Sequence, residues 1–304
     1  MLLKRVITGS ILAFGTLALI IWSPTAFWFE IAVLAVLGLK EFFYLRSKQD
    51  NSKRPLVYTT IIAAVTYMAS MYYFLYFFKG DGRYAAESKV YLFGDARMLY
   101  LLTIIIIVVL VVHLAKRNFQ FTQFADVSTA VFGFVYVPYF LSYLFMLRTI
   151  PGEFIVWGTE VSAGACFVIY LIFITAFCDM GAFFVGKYLG RNKLWPQISP
   201  KKTIEGAVGG LICSIIIAYF MGKLLGMPVY NLFGIPVSFS IFLGMTLAIA
   251  AQLGDLFESL LKREAGVKDS GSILAGHGGI LDRFDSYFFT APIMYILIKI
   301  FVLP

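Results

Sequence analysis

Residues 259–285 read SLLKREAGVKDSGSILAGHGGILDRFD, with eight charged side chains and a histidine between two long apolar runs. Ionisable groups are expensive in a membrane and usually mark function there. Asp255, Glu258, Ser259 and Lys262 recur at i, i+3, i+4 and i+7, which puts them on one helical face. A single polar stripe on an apolar helix has to face the protein interior. Beyond the loop, Asp282 and Asp285 stand three apart at the start of the last apolar run, with Arg283 between them. Carboxylates from two helices can thus converge at one end of the membrane. Hard oxygen ligands beside basic groups suit Mg²⁺ bound together with substrate phosphates. The same residues also suit a plain ion-pair network of Asp255, Glu258, Arg283 and Asp285.

A second polar cluster spans 177–210, FCDMGAFFVGKYLGRNKLWPQISPKKTIEGAVGG. Asp179 lies within an apolar run, and Lys187 follows about two turns later, close to the same face. The next loop carries Arg191, Lys193, Lys201 and Lys202; Ser199 and Pro200 interrupt it, and Thr203 and Glu205 open a glycine-rich helix. Basic side chains beside a helix N-terminus suit a polyphosphate. A positively charged cytoplasmic loop ending in a helix cap has the same composition. With the basic loop expected on the same side as the carboxylates, a metal site is preferred to the ion-pair network.

The elements that must position these residues are membrane helices. The chain has 304 residues, 60% hydrophobic and 14% charged, with mean hydropathy +0.85. A soluble domain carries about a quarter charged residues. One span needs about 20 apolar residues. Nine runs qualify, roughly 6–22, 27–45, 57–78, 98–115, 127–147, 162–189, 204–225, 237–257 and 279–302. The first two form a tight hairpin around Pro24. The N-terminal run lacks a convincing cleavage site and reads as a retained helix. The fold class is all-α, a polytopic helical bundle with a cytoplasmic N-terminus. It forms one transmembrane domain over 1–304, in which 161–304 carries the catalytic helices and loops and 1–160 is less specific. Runs this long, without period-two alternation, exclude an outer-membrane barrel.

Most of the 25 Lys and Arg fall inside if the N-terminus is inside. That orientation puts 187–205 and 258–285 on the cytoplasmic face and leaves the 79–97 loop outside. The formal charge of +8 is then explained by the positive-inside rule, and no nucleic-acid partner is expected. Cys166, Cys178 and Cys213 lack metal-type spacing and read as small core residues.

At its C-terminal motif the sequence resembles the phosphatidate cytidylyltransferase (CDP-diglyceride synthetase) family. The matching positions are Ser259, Lys262, Arg263, Lys268, Asp269, Gly271, His277, Gly278, Gly279, Asp282, Arg283 and Asp285. Upstream, Asp179, Ala182, Gly186, the SPKKTIEG run from Ser199 to Gly206, and Gly209-Gly210 are similar too. Ala275 departs from the usual Pro or Gly. The resemblance is specific over about 177–285.

It implies transfer of CMP from CTP to phosphatidic acid, giving CDP-diacylglycerol and pyrophosphate in the inner (plasma) membrane. It also implies a homodimer. It assigns magnesium to Asp255 and Asp282 and suggests a monovalent cation such as K⁺. Lys201, Lys202, Lys262 and Arg263 are then candidates for clamping phosphates, and Arg283 for clamping or for holding Asp285. Asp285 itself would support the site or bind a second cation. Lys268 and Asp269 are expected at the catalytic site through the motif, and Ser199, Thr203, Glu205 and Ser259 at the substrate site. Asp179 and Lys187 would order the site from the neighbouring helix. A phosphate monoester is already a nucleophile near neutral pH, so His277 is expected to position substrate or donate a hydrogen bond. The rival readings are a CTP-dependent polyprenol or dolichol kinase-like enzyme and an ion-coupled transporter.

Overall fold

The computed structural model describes residues 13–49, 55–77, 102–108, 111, 124–156, 158–225, 229–232, 235–271, 273 and 278–302. The 79–97 loop, most of the 98–115 span, Ala275 and His277 lie outside the described residues, as does the start of the first span.

The chain runs through α1 (Ala13–Trp22), α2 (Pro24–Gln49), α3 (Pro55–Phe77), the short helical piece α4 (102–108), α5 (Phe124–Phe134), a π-helical turn (Val135–Tyr139) and α6 (Phe140–Arg148). It continues through α7 (Ala163–Tyr188), α8 (Ile204–Leu224), α9 (Phe239–Glu264) and α10 (Leu281–Phe301). Among the described residues, five stretches are long and apolar enough to span a membrane: Asp126–Arg148, Ala163–Tyr188, Ile204–Leu224, Phe239–Glu264 and Leu281–Phe301. The chain is an all-α membrane protein.

Three short antiparallel hairpins join these helices: β1–β2 (Glu153–Val156, Thr159–Ser162), β3–β4 (Lys193–Trp195, Ser199–Thr203) and β5–β6 (Val229–Leu232, Ile235–Ser238). Sequence patterning gave only loops there.

Local chemistry accounts for the breaks. A single residue, Ser23, separates α1 from α2, and its hydroxyl accepts from Ala26 N while Pro24 occupies the first helical position. Thr16 Oγ1 donates to Glu30 Oε1 at 2.5 Å, so the two helices do fold back on each other. The expected 127–147 span is continuous but widens into the π turn around Pro138. Proline has no N–H for the helical ladder and crowds the preceding turn, which a wider turn relieves.

α7 packs along α8, α8 on α9, and α9 on α10. Glycines permit the close α7–α8 approach: a β-carbon on Gly210 would meet Cys178 O at 2.8 Å. Tyr170 donates to Ala218 O and Ser240 O, tying α7 to α8 and to the start of α9. On the other side, Tyr136 packs against Phe257 (5.3 Å) and Phe288 (4.6 Å), which seats the π turn on α9 and α10. Ile204, Val208, Ile212, Ile216 and Phe220 recur every fourth residue along α8 and are exposed. Such a stripe is a liability in water and an ordinary lipid-facing surface in a bilayer.

Candidate active site

The C-terminal part of α9 and the N-terminal part of α10 lie side by side and antiparallel. Gly254 sets their distance, since a β-carbon there would meet Asp285 O at 2.6 Å. This pairing brings the Asp255 level opposite Asp285 and the Glu258 level opposite Asp282. The i, i+3, i+4, i+7 stripe on α9 faces inward, as its spacing implies: Glu258 and Ser259 are buried and Asp255 and Lys262 half-buried.

Lys262 Nζ lies 2.5 Å from Glu258 Oε2 and 2.6 Å from Asp282 Oδ1. Asp282 Oδ2 accepts from Ser270 N (2.9 Å), Ser270 Oγ (3.0 Å) and Gly279 N (2.8 Å). The reach back to Gly279 resembles a capping box at the start of α10. Gly278 has φ +84°, and a β-carbon there would sit 2.7 Å from Asp282 Oδ2, so backbone and space both require glycine.

Asp285 Oδ1 accepts from Ser286 N at 2.7 Å. Asp255 accepts weakly from Ser259 Oγ (3.4 Å), and its Oδ2 lies 2.6 Å from Lys202 Nζ. The Lys202 contact is an ion pair between two partly exposed side chains. Asp179 on α7 and Asp285 are both close enough to Asp255 to repel it electrostatically.

Beside Asp255 opens a cavity of about 440 Å³, lined among others by Asp179, Lys187, Lys201, Lys202 and Gln252. This falls in the size range of small-molecule sites, roughly 300–1,000 Å³. The β3–β4 hairpin delivers Lys201 and Lys202. Glu205 fastens that hairpin's entry by accepting from Arg191 N (3.0 Å), Asn192 N (3.1 Å) and Asn192 Nδ2 (2.8 Å). Thr203 caps α8, its hydroxyl accepting from Gly206 N at 3.1 Å. The carboxylate and the cap thus shape the loop, and the lysines face the cavity.

Other candidates stand apart from it. Arg263 is exposed and donates to Ile198 O and Val267 O, bracing the hairpin against the end of α9. Lys268 and Asp269 are exposed on the loop after α9, Arg283 is exposed on α10, and Ser199 opens β4 at the hairpin's outer end. Lys187, by contrast, lines the cavity; it lies 5.3 Å from the Tyr188 ring centre, and among the described ion pairs none joins it to Asp179.

Sequence reasoning missed Gln252, which lines the cavity and donates to Ala207 O at 3.0 Å. Its signal was its place three residues before Asp255. It also missed Ser270 and Glu41. A carboxylate in the middle of an apolar run was the available sign of Glu41.

Among the described residues, no three His, Cys, Asp or Glu side chains close into a ready coordination shell. Mg²⁺ needs less, since it keeps waters and takes one or two carboxylates plus phosphates. Five carboxylates, Asp179, Asp255, Glu258, Asp282 and Asp285, stand here against four lysines, Lys187, Lys201, Lys202 and Lys262. That excess of hard, negative oxygen fits a divalent cation. At Asp282 a cation must share or displace existing donors, whereas Asp255 and Asp285 each hold weaker or fewer ones.

The sequence is similar to known proteins along its length. The pattern of the Cytidylyltransferase family matches residues 3–301. A protein of Bacillus subtilis (strain 168) named phosphatidate cytidylyltransferase is 33% identical over 298 residues, covering 98% of each chain. Namesakes from Staphylococcus saprophyticus and Staphylococcus aureus (strain COL) are 40% and 48% identical over 185 and 141 residues. These cover 61% and 45% of this chain and 63% and 50% of theirs. With its sequence matched almost end to end, the chain belongs to the cytidylyltransferase family of enzymes.

Proposed function

We propose that the protein transfers CMP from CTP to phosphatidic acid, giving CDP-diacylglycerol and pyrophosphate for phospholipid synthesis. The observation that carries this reading is the acidic cluster of α9 and α10 set against a lysine-lined cavity. Transfer brings two anions together, a lipid phosphate and a nucleotide triphosphate, so the site has to offset their repulsion. Lys201 and Lys202 supply positive charge from one wall. Lys202 Nζ lies 2.6 Å from Asp255 Oδ2, and an ammonium with three N–H donors has others left for phosphate oxygens.

Magnesium, held by Asp255 with Asp282 or Asp285, would neutralise phosphate charge as it develops at the transition state. A monovalent cation such as K⁺ would fit the same surplus of carboxylate. Lys262 holds Asp282 and Glu258 in place, and Gln252 and Glu205 hold the walls. No side chain has to remove a proton from the nucleophile, since a phosphate monoester already carries the attacking oxygen as an anion. That oxygen bonds to the α-phosphorus of CTP as the bond to pyrophosphate breaks.

The site is taken to lie on the cytoplasmic side of the plasma membrane, with nine spans and the N-terminus inside. The lysine excess at that end supports this side. The homodimer rests on the family resemblance, and light scattering in detergent tests it.

The deciding experiment is labelled CTP with phosphatidic acid and purified protein, with and without EDTA. Lipid-soluble label co-migrating with CDP-diacylglycerol, lost on chelation and restored by Mg²⁺, is the expected result. A lipid monophosphate with CDP as product overturns the reading. Asp282→Asn is expected to abolish turnover while leaving membrane insertion intact. Retained turnover counts against the metal assignment.

A further inference from the structure

Glu41 sits in an apolar stretch of α2 and is only 4% exposed. Its Oε2 accepts from Ser270 Oγ (3.1 Å) and from Leu281 N (3.0 Å), partners 229 and 240 positions away. Its Oε1 has no hydrogen-bond partner among the described residues. A buried carboxylate without compensation is strongly unfavourable. Here the compensation is the start of α10: Leu281 is its first residue, and a helix N-terminus offers unpaired N–H groups and the positive end of the dipole.

Ser270 extends the contact. It is fully buried, and its Oγ lies 3.1 Å from Glu41 Oε2 and 3.0 Å from Asp282 Oδ2, so its one hydroxyl proton is shared between the two carboxylates. Asp282 then meets Lys262, and Lys262 meets Glu258. The chain of contacts runs from α2 through the loop to α10 and α9. Two glycines of the C-terminal motif make room for it. A β-carbon on Gly271 would collide with the Glu41 carboxyl group, and one on Gly279 with Glu41 Oε2 and Ser270 Oγ.

We propose that Glu41 is a positioning residue for cytidylyl transfer, the anchor that fixes the loop after α9 and the first turn of α10. It thereby sets Asp282 and Lys262 relative to the cavity. This rests on the reaction proposed above. Glu41 is not among the residues lining the cavity beside Asp255, so its effect passes through Ser270 and Asp282.

The test uses the full chain in detergent and the variants Glu41→Ala, Glu41→Gln, Gly271→Ala and the Glu41→Ala/Gly271→Ala pair. Two readouts are taken: steady-state kinetics, and amide hydrogen exchange across 266–283, which needs no activity. Glu41→Ala is expected to speed exchange at Ser270 and Leu281. It should also lower kcat about tenfold to a hundredfold, with the KM for CTP little changed. Glu41→Gln keeps an acceptor oxygen for Leu281 N and should hold exchange near the parent's, with a smaller kcat loss. The pair should lose no more than Glu41→Ala alone, because one contact is being removed twice.

Unchanged exchange and kcat in Glu41→Ala overturn the proposal, as do losses that multiply in the pair. If Glu41→Ala does not fold, Gly271→Ala decides: its methyl meets the Glu41 carboxyl group, and unchanged exchange at Ser270 and Leu281 with unchanged kcat overturns the proposal. A kcat loss of more than about a hundredfold with parental exchange would give Glu41 a role in the chemistry itself and overturn positioning. A parent enzyme that makes no CDP-diacylglycerol overturns the reaction, and hydrogen exchange then still judges the anchor.

Discussion

Lys262 lies within ion-pair distance of two carboxylates, and one of them, Glu258, has a fully buried side chain. Removing one member of a buried pair leaves an uncompensated charge and costs about 3–5 kcal/mol, whereas replacing both by apolar groups is often neutral. Lys262→Met is therefore expected to lower the unfolding midpoint in detergent and to abolish turnover. Lys262→Met with Glu258→Leu should regain most of the stability and none of the activity, because Asp282 still lacks its cation. Recovery of activity in the double variant would mean that Lys262 serves only to neutralise Glu258. Lys202 differs. Its side chain and that of Asp255 are 26% and 31% exposed, so solvent screens the pair and Lys202→Ala should leave the midpoint nearly unchanged. The expected loss is in CTP binding, read as a raised KM.

At the level of elements, the site depends on how closely α9 and α10 approach. Gly254→Ala places a methyl against the Asp285 carbonyl, and backbone cannot rotate away as a side chain can. Overpacking of this kind costs about 1–3 kcal/mol, and the displacement falls on Asp255 and Asp285. Turnover should drop well over tenfold with a modest fall in the unfolding midpoint. Gly15→Ala is the control, since nothing lies within 4 Å of a β-carbon there. Equal losses in both would remove the packing argument.

The α9 stripe was legible because a helix has a fixed period, so four polar residues in an apolar run define a face. That Asp282 could come near that face was readable from the single loop that joins the two helices. The hairpins were not. β3 is three residues long, and β4 carries Pro200 and two adjacent lysines, so neither has the alternation that marks a strand. Contacts between distant segments were equally hidden. Nothing in LGLKEFFYL says that Glu41 meets Ser270, because that contact is made by the fold and not by spacing. The π turn was readable only as Pro138 inside a helical run.

Across the described residues, the candidate-site groups gather at one end. The C-terminal ends of α2, α7 and α9 and the N-terminal ends of α8 and α10 meet there, and they carry Glu41, Asp179, Asp255, Asp282 and the β3–β4 lysines. The opposite end holds the β1–β2 and β5–β6 hairpins and Arg148, whose Nε donates to Ile20 O at 2.6 Å. Asp255 stands nine residues before Glu264, which places it about 14 Å in from the helix end at about 1.5 Å per residue. In the proposed reaction this carboxylate is recessed, and the cavity beside it is reached from the face that carries the β3–β4 lysines. A lipid phosphate can reach it from the leaflet, and a charged nucleotide has to enter from the water at that face. Membrane vesicles turn this asymmetry into a measurement. With CTP added to the outside, inverted vesicles should form CDP-diacylglycerol at the rate of detergent-opened ones, and right-side-out vesicles should form none until permeabilised. The opposite pattern would reverse the orientation drawn from the lysines, and equal rates in sealed vesicles of both kinds would mean a path through the bundle that serves nucleotide from either side.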